Sequence, residues 1–326
     1  KLVKIGVIGV GHLGQHHVKH FKNLKSVDLI GIYDTNKDRA LSIAKKYNVD
    51  TFDSINSLIT KVEAVSIVAP TIFHSEIATL CIKNKKHVFI EKPITATIEE
   101  ANNLLKLAKL FKIIIQVGHI ERLNPALLAL EPFQIKPKFI EFQRLAPYTT
   151  RGTDVPVVLD KMIHDIDILL SLVDSKINTI QATGLSILTD SVDIAHARLR
   201  FENGTVASIM SSRIAKDEVR KVKLFQKDLY TTIDLLLGLT EVYQMQKENI
   251  EGNEKSITIP FNYKEERNFI SYYKPPLSKK DPLLMELDNF ILSIQKRSKP
   301  IVTGKDGRDA LDIALKIQEK IMQDLH

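Results

Sequence analysis

The sequence contains a single cysteine, Cys81, in 326 residues. One cysteine excludes an internal disulfide and a cysteine-based zinc site, and it is typical of a protein of the reducing cytoplasm. The surrounding pattern is helical, so we expect the Cys81 thiol to be a small buried group. The sequence also lacks a run of about 18 apolar residues and therefore predicts no membrane-spanning helix. The chain as given does not open with a signal-peptide pattern.

A strong excess of one charge is also missing. Lys and Arg total 46 and Asp and Glu total 39, which leaves a net charge of +7. The lysines are spread over predicted helix faces, and the densest run, at residues 83–86, is a short turn before a strand. This distribution argues against a nucleic-acid partner and suits an anionic small substrate. The sequence has no internal repeat. Its length and its 44% of hydrophobic residues predict a large core, in either two domains or one large domain.

A glycine-rich turn near the start is the most informative motif of the chain. An apolar run at residues 3–8 predicts a buried parallel strand, and residues 15–24 predict a helix. Between them three glycines have the spacing G-x-G-x-x-G. Such glycines let the backbone turn tightly and approach a pyrophosphate, whose charge then lies at the helix N-terminus. The sequence therefore predicts a dinucleotide site with the phosphate loop Gly9, Gly11, His12, Leu13 and Gly14.

An acidic residue, Asp34, follows the second apolar run of the sequence, which covers residues 27–33. It lies about 20 residues after the last glycine, where a dinucleotide fold places an acid. A carboxylate accepts hydrogen bonds from ribose hydroxyls and repels a ribose 2′-phosphate, so Asp34 favours NAD over NADP. The adjacent Thr35 is also predicted to bind the cofactor. Lys37 or Arg39 could partly offset that repulsion. A helix-capping role for Asp34 is the alternative.

Helical and apolar strand patterns alternate up to about residue 120. The predicted helices cover residues 38–47, 75–83 and 97–111, and the predicted strands cover residues 64–68, 87–90 and 113–117. Strands separated by helices predict a doubly wound parallel sheet, so we expect residues 1–120 to form a Rossmann NAD-binding domain. In such sheets ligands bind beyond the carboxyl ends of the strands.

The pattern changes in residues 121–326, which we expect to form an α/β domain for substrate binding and oligomerisation. After a predicted helix at residues 157–173, apolar and polar residues alternate in a way that predicts a mostly antiparallel, open-faced sheet. Its strands are predicted at residues 195–201, 205–212, 221–225, 229–234, 241–246 and 256–259. Residues 262–281 are predicted to be a loop, and two amphipathic helices in residues 282–326 could pack back on the first domain. A broad open sheet also favours a homo-oligomer, either a dimer or a tetramer.

Two further motifs fall at predicted strand ends, on the expected cofactor edge of the sheet. One contains Ala69, Pro70 and Thr71 with His74 at the start of the next helix, and the other is Glu91, Lys92 and Pro93. A lysine at this edge, beside a nicotinamide, can share a proton or a hydrogen bond with a substrate hydroxyl. The alternative for the second motif is an ordinary surface turn.

A polar cluster within the predicted helix at residues 157–173 gives a second catalytic candidate. Asp160 and His164 are four residues apart and share a helix face, so the acid can orient the imidazole and stabilise its protonated form. One alternative is an ordinary solvated polar helix face. The other is a metal site with His164 and Asp160 or Asp167, although no third ligand stands at a diagnostic spacing. His16 and His20 also share a face, but a metal there would compete with the cofactor.

Candidate substrate contacts follow the last predicted Rossmann strand. An arginine in the cleft suits a diphosphate, because its planar donors match phosphate oxygens. Arg144 and Arg151 are expected on a loop opposite, together with Asp154. The predicted substrate-binding residues besides Lys92, Asp160 and His164 are Glu121, Arg122, Asn124, Arg144 and Arg151. The alternative for each is an ordinary surface side chain.

Four motifs, taken in order, resemble one family. They are Gly9-x-Gly11-x-x-Gly14, Ala69-Pro70 with His74, Glu91-Lys92-Pro93 and Asp160-x-x-x-His164. Their order along essentially the whole chain is similar to that of the glucose–fructose oxidoreductase/inositol dehydrogenase (Gfo/Idh/MocA) family. The resemblance implies a Rossmann domain followed by an open-faced α/β domain, a nicotinamide cofactor, and oxidation or reduction of a sugar-like hydroxyl. By position, Lys92 and His164 match the catalytic lysine and histidine of the family.

Within the family, residues 118–126 and 151–155 are most similar to members that oxidise the C3 hydroxyl of UDP-N-acetylglucosamine. The resulting ketone is a substrate for a partner aminotransferase that makes diamino sugars for cell-envelope glycolipids or glycans. The resemblance then implies that His164, oriented by Asp160, takes the hydroxyl proton while Lys92 hydrogen-bonds the alkoxide, or that the two exchange roles. The alternatives are a dehydrogenase of a free sugar, inositol or sugar acid, and a non-catalytic NAD-binding regulator.

Overall fold

The computed structural model describes residues 2–149, 155–247, 256–263 and 266–325. They form two compact units. The first unit contains Lys1–Ile120 and Lys280–Asp312, and the second contains Glu121–Lys279 and Ile313–His326. The first unit thus includes a C-terminal segment in addition to the stretch 1–120, and the division into domains 1–120 and 121–326 stays a prediction.

The first unit is built on a six-stranded parallel sheet. Its strands are β1 (Val3–Ile8), β2 (Val27–Tyr33), β3 (Asp50–Thr51), β4 (Ala64–Ile67), β5 (His87–Glu91) and β6 (Ile115–Gly118). The strand order is β3-β2-β1-β4-β5-β6, which confirms the predicted doubly wound sheet. The order reverses between β1 and β4, and such a reversal is where open α/β sheets bind ligands.

Helices connect these strands, and their boundaries follow local sequence signals. They are α1 (Gly14–Asn23), α2 (Lys37–Tyr47), α3 (Ile55–Ile59), α4 (His74–Lys83) and α5 (Ile98–Phe111). α5 begins at a capping box, in which the side chains of Thr97 and Glu100 each accept a backbone N–H of the other residue. Cys81 lies buried in α4, as predicted.

The second unit contains a nine-stranded, mostly antiparallel sheet. Its strands are β7 (Phe139–Leu145), β8 (Ile177–Leu185), β9 (Ile194–Phe201), β10 (Val206–Ser212), β11 (Val219–Gln226), β12 (Leu229–Asp234), β13 (Leu239–Gln246), β14 (Ser256–Tyr263) and β15 (Glu266–Tyr273). Only the β7–β10 pair is parallel among the described strand pairs of this sheet. From Ala195 to Phe201 in β9 the side chains alternate between buried and exposed, which confirms the predicted one-sided sheet.

The predicted loop at residues 262–281 is wrong in its first half. β15 pairs there with β13 on one side and β14 on the other. The prediction gave too much weight to Pro275 and Pro276, which follow the strand. A proline ends pairing only where it removes a ladder hydrogen bond, so a strand can run up to the residues just before it.

Helices complete both units. They are α6 (Pro125–Leu128), α7 (Ile163–Leu172), α8 (Pro282–Ile294) and α9 (Gly304–Asp324), and a π-helical turn (Val158–Met162) leads into α7. α8 belongs to the first unit, where Leu287, Phe290 and Ile291 are fully buried in the same core cluster as β1. The division between the units falls within α9. No helix in the described parts of the chain combines the length and the apolar content needed to cross a membrane.

Candidate active site

The glycine turn between β1 and α1 leaves room for a dinucleotide. Gly9 has φ +86°, and a Cβ there would lie 2.6 Å from the carbonyl oxygen of Val68. A Cβ at Gly14 would clash with the carbonyl oxygen of Gly9. In contrast, a Cβ at Gly11 would meet nothing within 4 Å. The first and third glycines are therefore required by the turn itself, whereas the second faces open space of the kind that a pyrophosphate would fill.

The N-terminus of α1 completes this phosphate site. The cap residue Leu13 makes no side-chain hydrogen bond to the first turn, and that turn contains no acidic residue. The backbone N–H groups and the positive end of the helix dipole therefore remain suited to an anion. His12 and Leu13 are exposed beside the turn. These features fit the predicted role of the loop in holding NAD.

Asp34 lies directly after β2 and is buried, with 6% of its surface exposed. Its Oδ2 accepts hydrogen bonds from Val10 N at 2.8 Å and Arg39 Nε at 3.0 Å. Its Oδ1 accepts from Asn36 N at 2.8 Å and Arg39 Nη2 at 2.7 Å. Burial raises the pKa of the Asp34 carboxyl, but the hydrogen bonds from Arg39 and the backbone outweigh it, so the pKa lies below its usual value. The exposed Thr35 follows.

His74 connects the two loops of the predicted cofactor edge. Its Nε2 lies 2.8 Å from the carbonyl oxygen of Ala69, and its Nδ1 lies 2.9 Å from that of Pro93. A neutral imidazole has one N–H, so it can donate to only one of these acceptors at a time. Burial lowers the pKa of His74, and the two carbonyl contacts oppose that effect. The loop containing Pro70 and Thr71 is thereby held beside Pro93.

Glu91, the last residue of β5, is tied to α1 through His17. The carboxylate Oε1 of Glu91 lies 3.1 Å from His17 Nε2, and His17 Nδ1 lies 2.9 Å from Ser66 Oγ. The backbone N–H of Lys92 donates to Glu91 Oε2 at 3.3 Å. The strand end that carries Lys92 is thus fixed against the phosphate-loop helix. Lys92 itself is half-buried.

His17 and Gly118 are not among the predicted site residues. A signal for His17 is present, because Gly14, His17 and Phe21 follow helical spacing and lie on the buried face of α1. Gly118 ends β6, and a Cβ there would lie 2.7 Å from the Glu91 carboxylate. Its signal is a glycine at a strand end, which often marks close approach of another group.

Asp160 and His164 belong to the second unit, whereas Lys92 belongs to the first. Asp160 lies in the π-helical turn and His164 in α7, so they do not share one regular α-helix as predicted. A π-helical turn closes i→i+5 hydrogen bonds, is rare, and is frequently found at functional sites. Both side chains are half-buried, and the Asp160 carboxylate lies 3.4 Å from Lys161 Nζ.

The predicted position of Arg144 on a loop is wrong. Arg144 lies in β7 and is buried, because its side chain is on the same face as Ile140 and Phe142. Its Nε and Nη2 donate to the two oxygens of Asp165 at 2.9 and 2.7 Å, and Nη1 donates to Glu121 at 3.1 Å. Burial alone would lower the pKa of the Arg144 guanidinium, but the two carboxylates raise it overall.

Other predicted substrate contacts also take part in interactions within the second unit. Arg122 forms a bidentate pair with Asp167 at 2.8 and 2.7 Å. Asn124 caps α6 and donates to the carbonyl oxygen of Leu235 at 3.0 Å. The described contacts therefore support a role in holding α7 and its surroundings. Direct substrate binding by Glu121, Arg122, Asn124 and Arg144 stays a prediction, and Arg151 and Asp154 lie outside the described residues.

The sheet order, the glycine turn and the buried acid after β2 together define a dinucleotide-binding protein. Over the described residues, no group of three or more His, Cys, Asp or Glu side chains is arranged to hold a metal ion. The chain belongs to the Gfo/Idh/MocA family of NAD-binding oxidoreductases. The family description "Oxidoreductase family, NAD-binding Rossmann fold" matches residues 3–119, and the "GFO/IDH/MocA C-terminal domain" matches residues 140–226. The predicted family, enzyme class and NAD cofactor are confirmed.

Full-length relatives agree with this assignment. The chain is 32% identical to a UDP-N-acetylglucosamine 3-dehydrogenase of Acidithiobacillus ferrooxidans over 317 residues, which cover 97% of this chain and 96% of the relative. The solved structure of GnnA, the enzyme of that name from the same organism, matches with a TM-score of 0.89 at 30% identity and covers 100% of both chains. A myo-inositol 2-dehydrogenase of Thermotoga maritima is 27% identical over 95% of this chain and 93% of its own length.

Proposed function

We propose that the protein oxidises the C3 hydroxyl of a UDP-N-acetylhexosamine, UDP-N-acetylglucosamine, to the 3-keto sugar. The observation that carries this proposal is the similarity to UDP-N-acetylglucosamine 3-dehydrogenase, which extends over 97% of the chain at 32% identity. Bound NAD supplies the hydride acceptor. A chain with a net charge of +7 also suits a substrate with two negatively charged phosphate groups.

We assign the catalytic roles to three residues. His164 takes the proton from the C3 hydroxyl, and Asp160 orients the imidazole and stabilises its protonated form. Lys92 donates a hydrogen bond to the oxygen on which negative charge develops. The hydrogen at C3 leaves as a hydride, so the sugar loses one hydride and one proton in all. The contacts from Lys92 N to Glu91 and from Glu91 to His17 support the role of Lys92, because they fix its strand end.

The NAD-contacting residues are proposed from the phosphate loop and the three strand ends that follow it. They are Gly9, Gly11, His12, Leu13, Gly14, Asp34, Thr35, Ala69, Pro70, Thr71, His74, Glu91, Lys92 and Pro93. Direct substrate contacts are proposed for Lys92, Asp160 and His164. The arginine pairs to Asp165 and Asp167 support this assignment, because they anchor α7, the helix that contains His164.

Substrate oxidation tests the proposal directly. The purified protein is incubated with NAD and UDP-N-acetylglucosamine, reduced cofactor is followed by absorbance, and the sugar product is analysed by mass spectrometry. We expect reduced NAD and a product lighter by two hydrogens. Parallel incubations use myo-inositol, a free sugar and a sugar acid, because the myo-inositol 2-dehydrogenase relative favours a polyol as the second candidate. Turnover of these alone would refute the nucleotide-sugar proposal, and NAD binding without any turnover would indicate a regulator.

Variants test the catalytic roles separately. Lys92→Met and His164→Asn should each slow hydride transfer by about two to four orders of magnitude. Their affinity for NADH should fall far less than their rate of hydride transfer, because the phosphate loop and Asp34 are unchanged in both variants. Lys83→Met is a matched control that should keep wild-type turnover, since it removes an exposed lysine of the same unit as Lys92. Wild-type turnover in either of the first two variants would refute its assigned role.

We propose that the protein forms a homo-oligomer through the open face of its second sheet. Aromatic side chains of five strands lie in one row there, with ring centroids 4.8 to 5.8 Å apart: Phe139, Phe225, Tyr230, Tyr243 and Tyr272. An adjacent row alternates in charge, with Lys223 Nζ 2.9 Å from Glu141 and Lys274 Nζ 3.6 Å from Glu241. Such a surface can meet a second copy of itself. Light scattering coupled to gel filtration would give a dimer or tetramer mass, and a monomer mass would refute this.

We further propose that the 3-keto product is consumed by a sugar aminotransferase, which would lead to diamino sugars of cell-envelope glycolipids or glycans. A ketone is the group that an aminotransferase acts on, and this step rests on the proposed oxidation. The single buried Cys81 supports a cytoplasmic setting. Coupling the protein to such an aminotransferase should yield the 3-amino sugar nucleotide, and failure to aminate the keto product would refute the link.

A further inference from the structure

The acid expected to bind the cofactor ribose already has four hydrogen-bond donors. Each oxygen of the Asp34 carboxylate accepts one backbone N–H and one N–H of Arg39, at 2.7 to 3.0 Å. Two carboxylate oxygens offer about four lone-pair sites. The Asp34 carboxylate is therefore saturated without any ribose.

The four donors differ in how easily they can leave. Val10 N belongs to the glycine turn, and Asn36 N belongs to the cap of α2, so both are fixed by the backbone. The Arg39 donors are at the end of a flexible side chain that is 45% exposed. Two adjacent ribose hydroxyls need two acceptor sites on the carboxylate. Only the two sites occupied by Arg39 can be vacated for them.

We propose that Arg39 is a specificity-determining residue of the nucleotide site, because its guanidinium competes with the ribose hydroxyls for Asp34. NAD binding requires Arg39 to leave the carboxylate. Arg39 belongs to α2, so its displaced guanidinium remains close to Asp34 and to the ribose hydroxyls that now occupy the carboxylate. It is then a cation beside the ribose, where it offsets the repulsion between Asp34 and a 2′-phosphate. Arg39 therefore weakens NAD binding and strengthens NADP binding.

The folded loop does not depend on the Arg39 guanidinium. The side chain of Asn36 caps α2 by accepting the backbone N–H of Arg39 at 2.9 Å, and any residue except proline keeps this bond at that position. Asp34 also keeps its two backbone donors. Because the ion pair is partly exposed, its contribution to stability is small. Substitution of Arg39 should therefore change cofactor affinity without unfolding the site.

Binding of reduced cofactors to three variants tests the proposal, with no sugar present. NADH and NADPH are titrated by nicotinamide fluorescence or calorimetry against the wild type, Arg39→Met, Arg39→Lys and Lys45→Met. Arg39→Met should bind NADH about three- to tenfold more tightly and NADPH more weakly by a similar factor. Arg39→Lys should bind NADH more tightly while retaining NADPH, since it keeps the charge and loses the two-donor fork. Lys45→Met is the matched control, because Lys45 is an exposed cation in the last turn of the same helix, and it should shift neither affinity by more than about twofold.

The results separate competition from a structural role. If Arg39→Met binds NADH no more tightly than the wild type, or more weakly, competition for Asp34 is refuted. A gain in NADH affinity that Lys45→Met reproduces would also overturn it, because general charge would then be responsible. Far-UV circular dichroism confirms that each variant is folded. The test uses cofactor binding alone, so its outcome is independent of whether the proposed sugar is the substrate.

Discussion

Replacing Arg144 by methionine should destabilise the protein by about 3–5 kcal/mol, because it leaves a buried carboxylate without its partner. Arg144 is 5% exposed and Asp165 is 2% exposed, so both groups are almost completely shielded from water. Methionine fills much of the volume of the arginine stem, which confines the effect to charge and hydrogen bonds. Urea unfolding followed by far-UV circular dichroism gives the free energy of unfolding.

Two further variants show whether the loss comes from the unpaired charge. Arg144→Met combined with Asp165→Leu removes both partners and should recover more than half of the loss, since an apolar pair can replace a buried ion pair. Glu121 would still have Arg220 Nη1 at 3.4 Å. Arg220→Met is the matched control, because this arginine contacts the same Glu121 but is 37% exposed, and it should cost less than about 1 kcal/mol.

The loss in Arg144→Met should also depend on pH. Burial raises the pKa of Asp165, and removing the cation raises it further. A carboxyl whose folded-state pKa exceeds its unfolded value is costly when ionised, so the variant should lose stability relative to the wild type as pH rises above the already raised folded-state pKa of Asp165 in the wild type. A single variant as stable as the wild type at neutral pH, or a double variant no more stable than the single one, would refute the reasoning.

Further substitutions test the phosphate loop and the buried thiol. Gly9→Ala should lower the free energy of unfolding by about 1–3 kcal/mol, because Gly9 has a positive φ and a Cβ there would contact a carbonyl oxygen. An unchanged midpoint of thermal or urea unfolding would contradict this. Gly11→Ala should change the free energy of unfolding by no more than about 0.5 kcal/mol, because a Cβ at this position points into open space. The same Cβ should weaken NADH binding about tenfold or more. Unchanged NADH affinity would mean that the cofactor does not approach Gly11. Burial raises the pKa of Cys81 to about 12, so a thiol reagent should label it at mildly alkaline pH only after unfolding, and rapid labelling of the native protein would contradict its placement.

The first unit could be predicted well from sequence because its signals are local. Parallel strands are covered on both faces, so Ile5, Val7 and Ile8 read as one apolar run. The glycine turn depends on steric limits within a few residues of Gly9. The antiparallel hairpin of β9 and β10 was equally clear, since strict alternation and a short turn at residues 202–205 predict it directly.

The interactions within the second unit could not be predicted as well, because they join residues distant in sequence. The pairing of Arg144 with Asp165 spans 21 positions, and that of Arg122 with Asp167 spans 45. From the sequence alone, such charged residues are predicted to be exposed, since a lone arginine is seldom buried. One local signal was available: Arg144 continues the alternation of Ile140 and Phe142 and therefore lies on the buried face of β7. The π-helical turn has no comparable signal.

The central claim is that the protein removes hydride from C3 of UDP-N-acetylglucosamine and transfers it to NAD. UDP-N-acetylglucosamine with deuterium at C3 tests it directly, with mass spectrometry of the reduced cofactor as the measurement. The account predicts that the reduced cofactor carries the deuterium and that the reaction is slower than with unlabelled sugar. Reduced cofactor without the label would place the oxidation at another carbon, and no reduced cofactor would contradict the assigned activity.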